Sequence, residues 1–511
     1  MANMTSFSGM FNGCTSIERV GSNIISGCTK CTTVASMFKG CTALSSVADD
    51  AFAGAPAVTN ISEIFSGCTS LQTVPAGLFS GFTSLSNAAK AFFESGVTSL
   101  PAGLFDKNGS VTDYGSTFEG CVSLTTVGDI FGENIASKTE CDKLFYGCTS
   151  LQSIPSGLFD GLYGVSTFVD AFNGCTSLTS IPSGLFKDQT SASTVTFQRC
   201  FSGCTALTSV PSTLFGTSER TNISSCANMF EKCTAISSIA SDAFGAMTRS
   251  NGTTMSSVFS GCTSLTSVPS GLFKNVTGTF SNVFQNCTGI TSVGSEVFNG
   301  RRPTGLTNMF NGCSSITTVP EDLFCEVEGV TSVSGIFQNC TSLVSVPAGL
   351  FRGMTAMKTL SSVFKGCTSL TEIPDGLFDG MAAVTTLNGM FQGCTQLKGV
   401  SSDEFAAMTA VTNVGNMFNG CTSLTSFPVD FFDNMKQITN VGNLFNGCSS
   451  LTGESPYTTV NGVKYHLYER TGENEAASGL KALGTAASNR KGCFAGCTGL
   501  SDYDSIPAEW K

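Results

Sequence analysis

Histidine occurs once in 511 residues and tryptophan once, and charged side chains make up only 12% of the chain. A single histidine leaves no His-based triad, no His-rich metal cage and little general acid/base work near neutrality. The 26 Lys and Arg are outnumbered by 37 Asp and Glu, giving a formal net charge of -11, and no basic run appears. Neutralising phosphates takes clustered Lys and Arg, which argues against nucleic acid or an anionic membrane surface as partner. Ser, Thr, Gly and Asn break every apolar stretch well short of the ~18 residues that would span a bilayer, so no membrane insertion is expected. The opening stretch MANMTSFSGMFNGCTS has neither the charged region nor the apolar region of a secretory signal. No Gly-rich phosphate loop is present, and no cofactor is expected. Cys28 and Cys31 form the sole C-x-x-C, with no second pair or histidine near, which argues against a metal site.

What the chain does contain is one phrase repeated from start to finish, in which Met-Phe-x-Gly-Cys-Thr-Ser-Leu precedes Thr-Ser-Val-Pro. Its cysteine recurs at Cys14, Cys41, Cys68, Cys121, Cys148, Cys175, Cys204, Cys233, Cys262, Cys287, Cys313, Cys340, Cys367, Cys394, Cys421, Cys448 and Cys497, mostly 27 residues apart. The longer gap after Cys68 hides a degenerate coil around Phe92 and Leu100, and the gap after Cys448 holds an insertion. The count is therefore about 18 coils. One phenylalanine lies three residues before the cysteine position and another usually eleven after it, as at Phe391 and Phe378. Between Cys367 and Phe391 the apolar residues fit neither a long helix nor a long strand, and two short extended pieces joined by turns fit better. One coil cannot bury its apolar side chains alone, whereas stacked coils place Leu on Leu, Phe on Phe and Cys on Cys.

Neighbouring ladder cysteines would have parallel Cβ vectors, a poor geometry for a disulfide. They read as reduced, buried, small apolar residues. Cys200 and Cys493 sit in the slot just before the ladder Phe, where a local disulfide and a plain apolar replacement both fit. The phrase MFNGCTSLTS, with its second half as in VTNVGNMFNGCTSL at 411–424, resembles the BspA-like leucine-rich repeats of bacterial surface proteins. The resemblance covers about residues 5–451 and again 493–511. It implies a leucine-rich-repeat solenoid with short parallel strands and turns, used for binding and commonly adhesion, in proteins that are usually exported.

The array starts with Met10 and Phe11 already in register and no capping segment before them, so a partner or second subunit is expected over that end. The organisation expected is a solenoid over 1–451, a hairpin-plus-helix insertion over 452–492, and a terminal repeat with an irregular C-terminal cap over 493–511. Tyr457–Val460, Asn461-Gly462 and then Val463–Tyr468 read as a hairpin with a type I′ turn, and Glu473 to Arg490 is helix-prone with gaps. Tyr457, Tyr465, His466, Tyr468, Tyr503 and Trp510 gather in this stretch, both as a cap and as a binding tip, since Tyr and Trp supply large amphipathic contact area.

An exposed dipeptide of each coil, such as Thr179-Ser180 or Thr425-Ser426, forms a hydroxyl column suited to broad polar contacts with a protein or glycan on a cell surface. Glu372 and Lys398 break its consensus and join the candidate binding residues. Carboxylates at Glu321, Asp322, Glu326 and Glu328, then Glu372, Asp375 and Asp379, cluster across coils; solvated turns account for them, and paired action in glycoside hydrolysis is the alternative. The function expected is non-catalytic recognition of a macromolecule. Its host is an exported adhesin at the cell surface, a virion component such as a tail fibre, or, lower, a tailspike-like glycan hydrolase.

Overall fold

The computed structural model describes residues 3–133, 136, 138–190, 192–247, 252–298, 303–324, 327–470, 472–484 and 486–511. The chain forms two compact units, Met1–Ser264 and Leu265–Lys511. Each is a solenoid whose coils follow the predicted period near 27 residues.

The coil is built from tight turns because its apolar residues recur about every third position, and each turn closes before a strand can lengthen. Between Cys367 and Phe391, backbone N–H groups close back on carbonyls three residues earlier, Leu370 on Cys367 at 3.1 Å, Val384 on Met381 at 3.3 Å and Met390 on Leu387 at 3.1 Å. Every corner so made points an apolar side chain inward, and Leu370, Leu377, Phe378, Met381, Val384, Leu387, Met390 and Phe391 are fully buried. The extended pieces that remain are two or three residues long and pair in parallel with the next coil. One column runs through pairs such as Arg19–Val20 with Ser46–Val47. The other passes through Thr33, Asn60 and Asn87 in the first unit and through Thr359, Thr386 and Asn413 in the second.

Hydrogen bonds between coils run in opposite senses at the ladder turn and in the Thr/Ser column. At the ladder turn the N–H groups reach the following coil, Phe38 to the Ile64 carbonyl at 3.0 Å and Gly40 to Ser66 at 2.7 Å. In the Thr/Ser column they reach back, Ser45 to Glu18 at 2.9 Å and Thr125 to Thr98 at 2.9 Å. Phenylalanines fill the space between. The ladder before the cysteine stacks Phe11, Phe38, Phe65 and Phe92 with ring centroids 5.3 to 5.7 Å apart. In the second unit Phe310, Phe337, Phe364 and Phe391 do the same at 5.7 to 6.0 Å. These are offset stacks of the kind the ring quadrupole favours. The second ladder includes Phe79, Phe105 and Phe131, and in the other unit Phe324, Phe351 and Phe378.

The described cysteines form no disulfide, Cys200 and Cys493 included, and those two are fully buried in the manner of an apolar replacement. The ladder thiols are more than small fillers. Cys68 donates to the Phe38 carbonyl at 3.1 Å, Cys175 to Phe145 at 3.2 Å, Cys367 to Phe337 at 3.1 Å and Cys448 to Phe418 at 3.1 Å. Each is a second donor to a buried carbonyl of the preceding coil that already accepts its own turn's N–H, as the Phe38 carbonyl does from Cys41 at 3.1 Å. In the degenerate coil Ser95 takes the cysteine slot and lies 3.4 Å from the Cys121 thiol.

At the first coil Phe7, Met10, Phe11, Ile17, Val20 and Ile24 line an open apolar cavity of about 380 Å³. The other end is closed. Strands Tyr457–Val460 and Val463–His466 pair antiparallel, with Tyr457 opposite His466, around Asn461 and Gly462 at φ of 52° and 81°. Both values are positive, as the type I′ turn requires. The second strand stops at His466, short of the predicted Tyr468, because the Glu469 carboxylate accepts the His466 N–H at 2.8 Å and turns the chain into a 3-10 segment, Leu467–Glu469. The helix-prone run yields only Gly472–Ser478 and a 3-10 turn at Ala487–Asn489, since Gly479 at φ 65° ends the helix in the left-handed region.

The insertion is docked rather than appended. The Arg470 guanidinium, almost fully buried, donates to the Met435 and Phe432 carbonyls, both at 3.3 Å. The Val441 and Asn443 N–H groups reach Asn489 and Lys491 on the chain's return at 2.8 and 3.0 Å. Phe494 continues the ladder on Phe445, and Trp510 covers Phe494 with centroids 6.4 Å apart.

Candidate functional site

The Ser/Thr column faces solvent, and in many coils the first hydroxyl of the pair is committed to the preceding coil. Thr125 Oγ1 donates to the Thr98 carbonyl at 2.9 Å, Thr208 to Thr179 at 3.2 Å and Thr452 to Thr425 at 2.9 Å. The column next to it repeats the habit, Thr59 to Thr32 at 3.1 Å and Thr412 to Thr385 at 3.2 Å. The second hydroxyl of the pair, as at Ser180 and Ser426, is exposed, so the face offers ligands acceptor oxygens at both positions and hydroxyl donors at the second. Glu372 and Lys398 stand exposed on successive coils of the same column. Lys398 N–H reaches the Thr371 carbonyl at 3.3 Å, and among the described residues the two side chains form no ion pair.

The carboxylates divide between two grooves. Glu321, Asp322 and Glu328 line a cavity of about 700 Å³ with Phe324, Val327 and Arg352, and Asp375 and Asp379 line the neighbouring groove with Arg352 on the shared wall. Glu372 lies outside both, and Glu326 falls outside the described residues. Arg352 Nη2 sits 3.0 Å from Glu321 Oε1, with both side chains well exposed. Sequence reasoning missed the carboxylates that the fold does bury, Asp170, which is paired with Arg199 at 2.8 Å, and Glu404. Glu404 accepts the Gly376 N–H at 2.6 Å and the Leu377 N–H at 3.1 Å, and burial raises its carboxyl above the usual range. Its role there is to cap a turn of the preceding coil.

At the C-terminal tip the hairpin brings His466 over the last coil. Ser455, fully buried, donates through Oγ to Asp502 Oδ2 at 2.5 Å, and the same oxygen lies 3.0 Å from His466 Nδ1. With its single proton given to Asp502, Ser455 accepts from an Nδ1–H tautomer of His466. So a serine, a histidine and an aspartate do meet, but the serine lies in the middle and is shut off from solvent. A nucleophilic triad needs the histidine in the middle and an accessible hydroxyl. His466 Nε2 lies 3.5 Å from Glu454 Oε1, its ring stacks on Tyr468 at 5.0 Å and 8°, and Tyr457 meets it edge-on at 5.5 Å. Lys464 binds Glu454 at 2.9 Å and lies 4.1 Å from the Tyr457 centroid. Burial, with the Asp502 and Glu469 carboxylates nearby, pushes the Tyr468 hydroxyl up to about 12.

Of the predicted tip residues, Tyr457, Tyr465, His466, Tyr468 and Tyr503 are partly exposed, while Trp510 is 3% exposed beneath them. Ser455, Glu454 and Lys464 were not legible as partners, because pairing them needs the hairpin register and the return of the chain to Asp502. Among the described residues no group of three His, Cys, Asp or Glu gathers as a metal site, and no helix is long and apolar enough to cross a membrane.

Turn-built coils, stacked Phe and Leu columns and short parallel bridges define a leucine-rich-repeat solenoid. The chain belongs to the DUF285 family, described as a Mycoplasma protein of unknown function, which matches over residues 1–76, 171–347, 253–373 and 358–467 and is BspA-like. Among solved structures it is similar to a leucine-rich repeat protein from Bacteroides ovatus, at 18% identity over 80% of this chain and 82% of that one, with a TM-score of 0.37. A leucine rich cell surface protein from Faecalibacterium prausnitzii is 19% identical over 62% of this chain and 83% of its own, with a TM-score of 0.29. A leucine-rich repeat protein from Eubacterium ventriosum is 16% identical over 85% and 84%, with a TM-score of 0.27. No curated protein matches the chain.

Proposed function

We propose that the protein is a non-catalytic adhesion solenoid that recognises a protein or glycan on a cell surface through its C-terminal tip and its Ser/Thr-lined face. The observation that carries this reading is the tip, where Tyr457, Tyr465, His466 and Tyr468 are held partly exposed on a docked hairpin outside the repeat's own packing. Pre-ordered aromatic side chains bind with little further loss of conformational freedom. Trp510 holds the platform from beneath, and Glu372 and Lys398 add local character to an otherwise uniform face. The buried Ser455 and the Arg352-paired Glu321 give no support to catalysis.

Adhesion of protein-coated beads to cells of the source's habitat tests the reading. Replacing Tyr465 and Tyr503 by Ala is expected to release the beads, and Lys398→Glu to weaken them by less. Retention by the double variant at the unsubstituted level overturns the tip. Mass spectrometry of washed cell envelope and of purified virus particles then separates a surface adhesin from a virion part.

A further inference from the structure

The residue just after each ladder phenylalanine sits at the rim of the coil, and nearby coils fill the slot with Ser66 and Ser202, small enough to be buried there, or with the half-buried Asn173. Two coils of the first unit place rings there instead. Tyr146 is 38% exposed and Phe93 is half-buried, and among the described residues neither touches another aromatic ring. Both lie on one column, fixed by the backbone: the Glu94 N–H donates to the Glu119 carbonyl at 2.8 Å, and the Gly120 N–H to the Tyr146 carbonyl at 2.7 Å. A single rung, that of Glu119, separates them, so the rings stand about 10 Å apart at the ordinary strand spacing of ~4.8 Å. Lys90 lies 5.7 Å from the Phe93 centroid and Lys143 5.4 Å from that of Tyr146.

Packing of the array does not call for these rings, because Ser and Asn complete the same slot elsewhere. What they form is a flat strip on which ring, carboxylate and ring alternate, with an ammonium group beside each ring. A sugar ring offers an apolar C–H face to an aromatic ring and a rim of hydroxyls to charged and polar groups. In an extended polysaccharide, alternate sugars come round to the same side. The strip is open and has no walls, which suits a polymer lying along it rather than an enclosed monosaccharide, and its lysines and glutamates balance in charge.

We propose that Phe93, Glu119 and Tyr146 form a platform for an extended, uncharged, β-linked polysaccharide. Alternate sugars stack on the two rings, the sugar between them donates a hydroxyl to Glu119, and Lys90 and Lys143 donate to sugar oxygens. The site shares no residue with the C-terminal tip, so the two readings stand or fall separately.

Sedimentation of the full chain with microcrystalline cellulose and with chitin tests it. The protein is expected to sediment with at least one of them. Phe93→Ser and Tyr146→Ser, which install the residue that Ser66 and Ser202 supply in other coils, should each weaken retention about tenfold and together abolish it, with unchanged melting curves. Wild-type protein left in the supernatant with both polymers overturns the platform, as does a double variant that sediments normally. Release by Tyr465→Ala also overturns it, by assigning the polymer to the tip.

Discussion

A cysteine whose proton is committed to a buried carbonyl is neither a nucleophile nor half of a disulfide. Burial pushes the thiols of Cys68, Cys175 and Cys233 up to about 12 from an ordinary value of 9.0. Two outcomes follow. Iodoacetamide at neutral pH should spare the ladder in the folded protein and, among the described cysteines, label at most Cys14, the one that is not fully buried, whereas all cysteines should react in denaturant; peptide mass spectrometry distinguishes these. Between pH 9 and 12 the unfolded chain binds fewer protons than the folded one, so stability must fall as pH rises, by about 1.4 kcal/mol per thiol per pH unit. Denaturant melts at pH 8 and pH 10 should show that loss, and a flat profile would refute it. Lys232, at φ 59° in the slot where most coils carry glycine, bears the left-handed penalty of a side chain, and Lys232→Gly should stabilise by about 1 kcal/mol in the same melts. The sequence made the burial of the cysteines legible, but not their donor role, because the carbonyl each meets belongs to another coil about 30 residues away.

Among elements, the hairpin was the most legible, since Asn461-Gly462 can hardly be read otherwise between Tyr457–Val460 and Val463–His466. The network beneath it was not, because Ser455 finds His466 and Asp502 at separations of 11 and 47 residues. The same limit hid Arg470, whose acceptors at Phe432 and Met435 lie 38 and 35 residues away. Burial pulls its guanidinium down to about 10, and its donors hold two carbonyls of the coil below. Arg470→Ala should leave those carbonyls with only the turn N–H groups of Ile438 and Met435 and cost about 1 to 3 kcal/mol locally. Hydrogen exchange should then speed up for the hairpin amides while the ladder amides around Phe391 keep their protection; equal loss in both would mean that the insertion is integral to the array.

At the scale of the whole molecule, stability is shared among coil interfaces, each contacting only its neighbours. The period, the paired phenylalanines and the cysteine column announced that design, because repetition multiplies a weak local signal. Repetition also conceals function, since a residue present in every coil is explained by stacking first. Departures such as Phe93 and Tyr146 stand out only once the column that holds them is known. Removing residues 452–511 should uncover Phe445 and let unfolding begin at that end, broadening the thermal transition. A transition as sharp as that of the intact chain would count against capping as the role of Trp510 and the hairpin.

The opposed hydrogen-bond columns carry an evolutionary implication. Each coil shows its successor the same pattern of donors and acceptors that its predecessor showed to it, so the join between any two coils is interchangeable with the next. A duplicated stretch of coding sequence one period long can enter at any rung, or be lost from it, without a change elsewhere. Length in such a protein is free to drift, and the few coils with unusual residues can be moved nearer together or farther apart in whole steps.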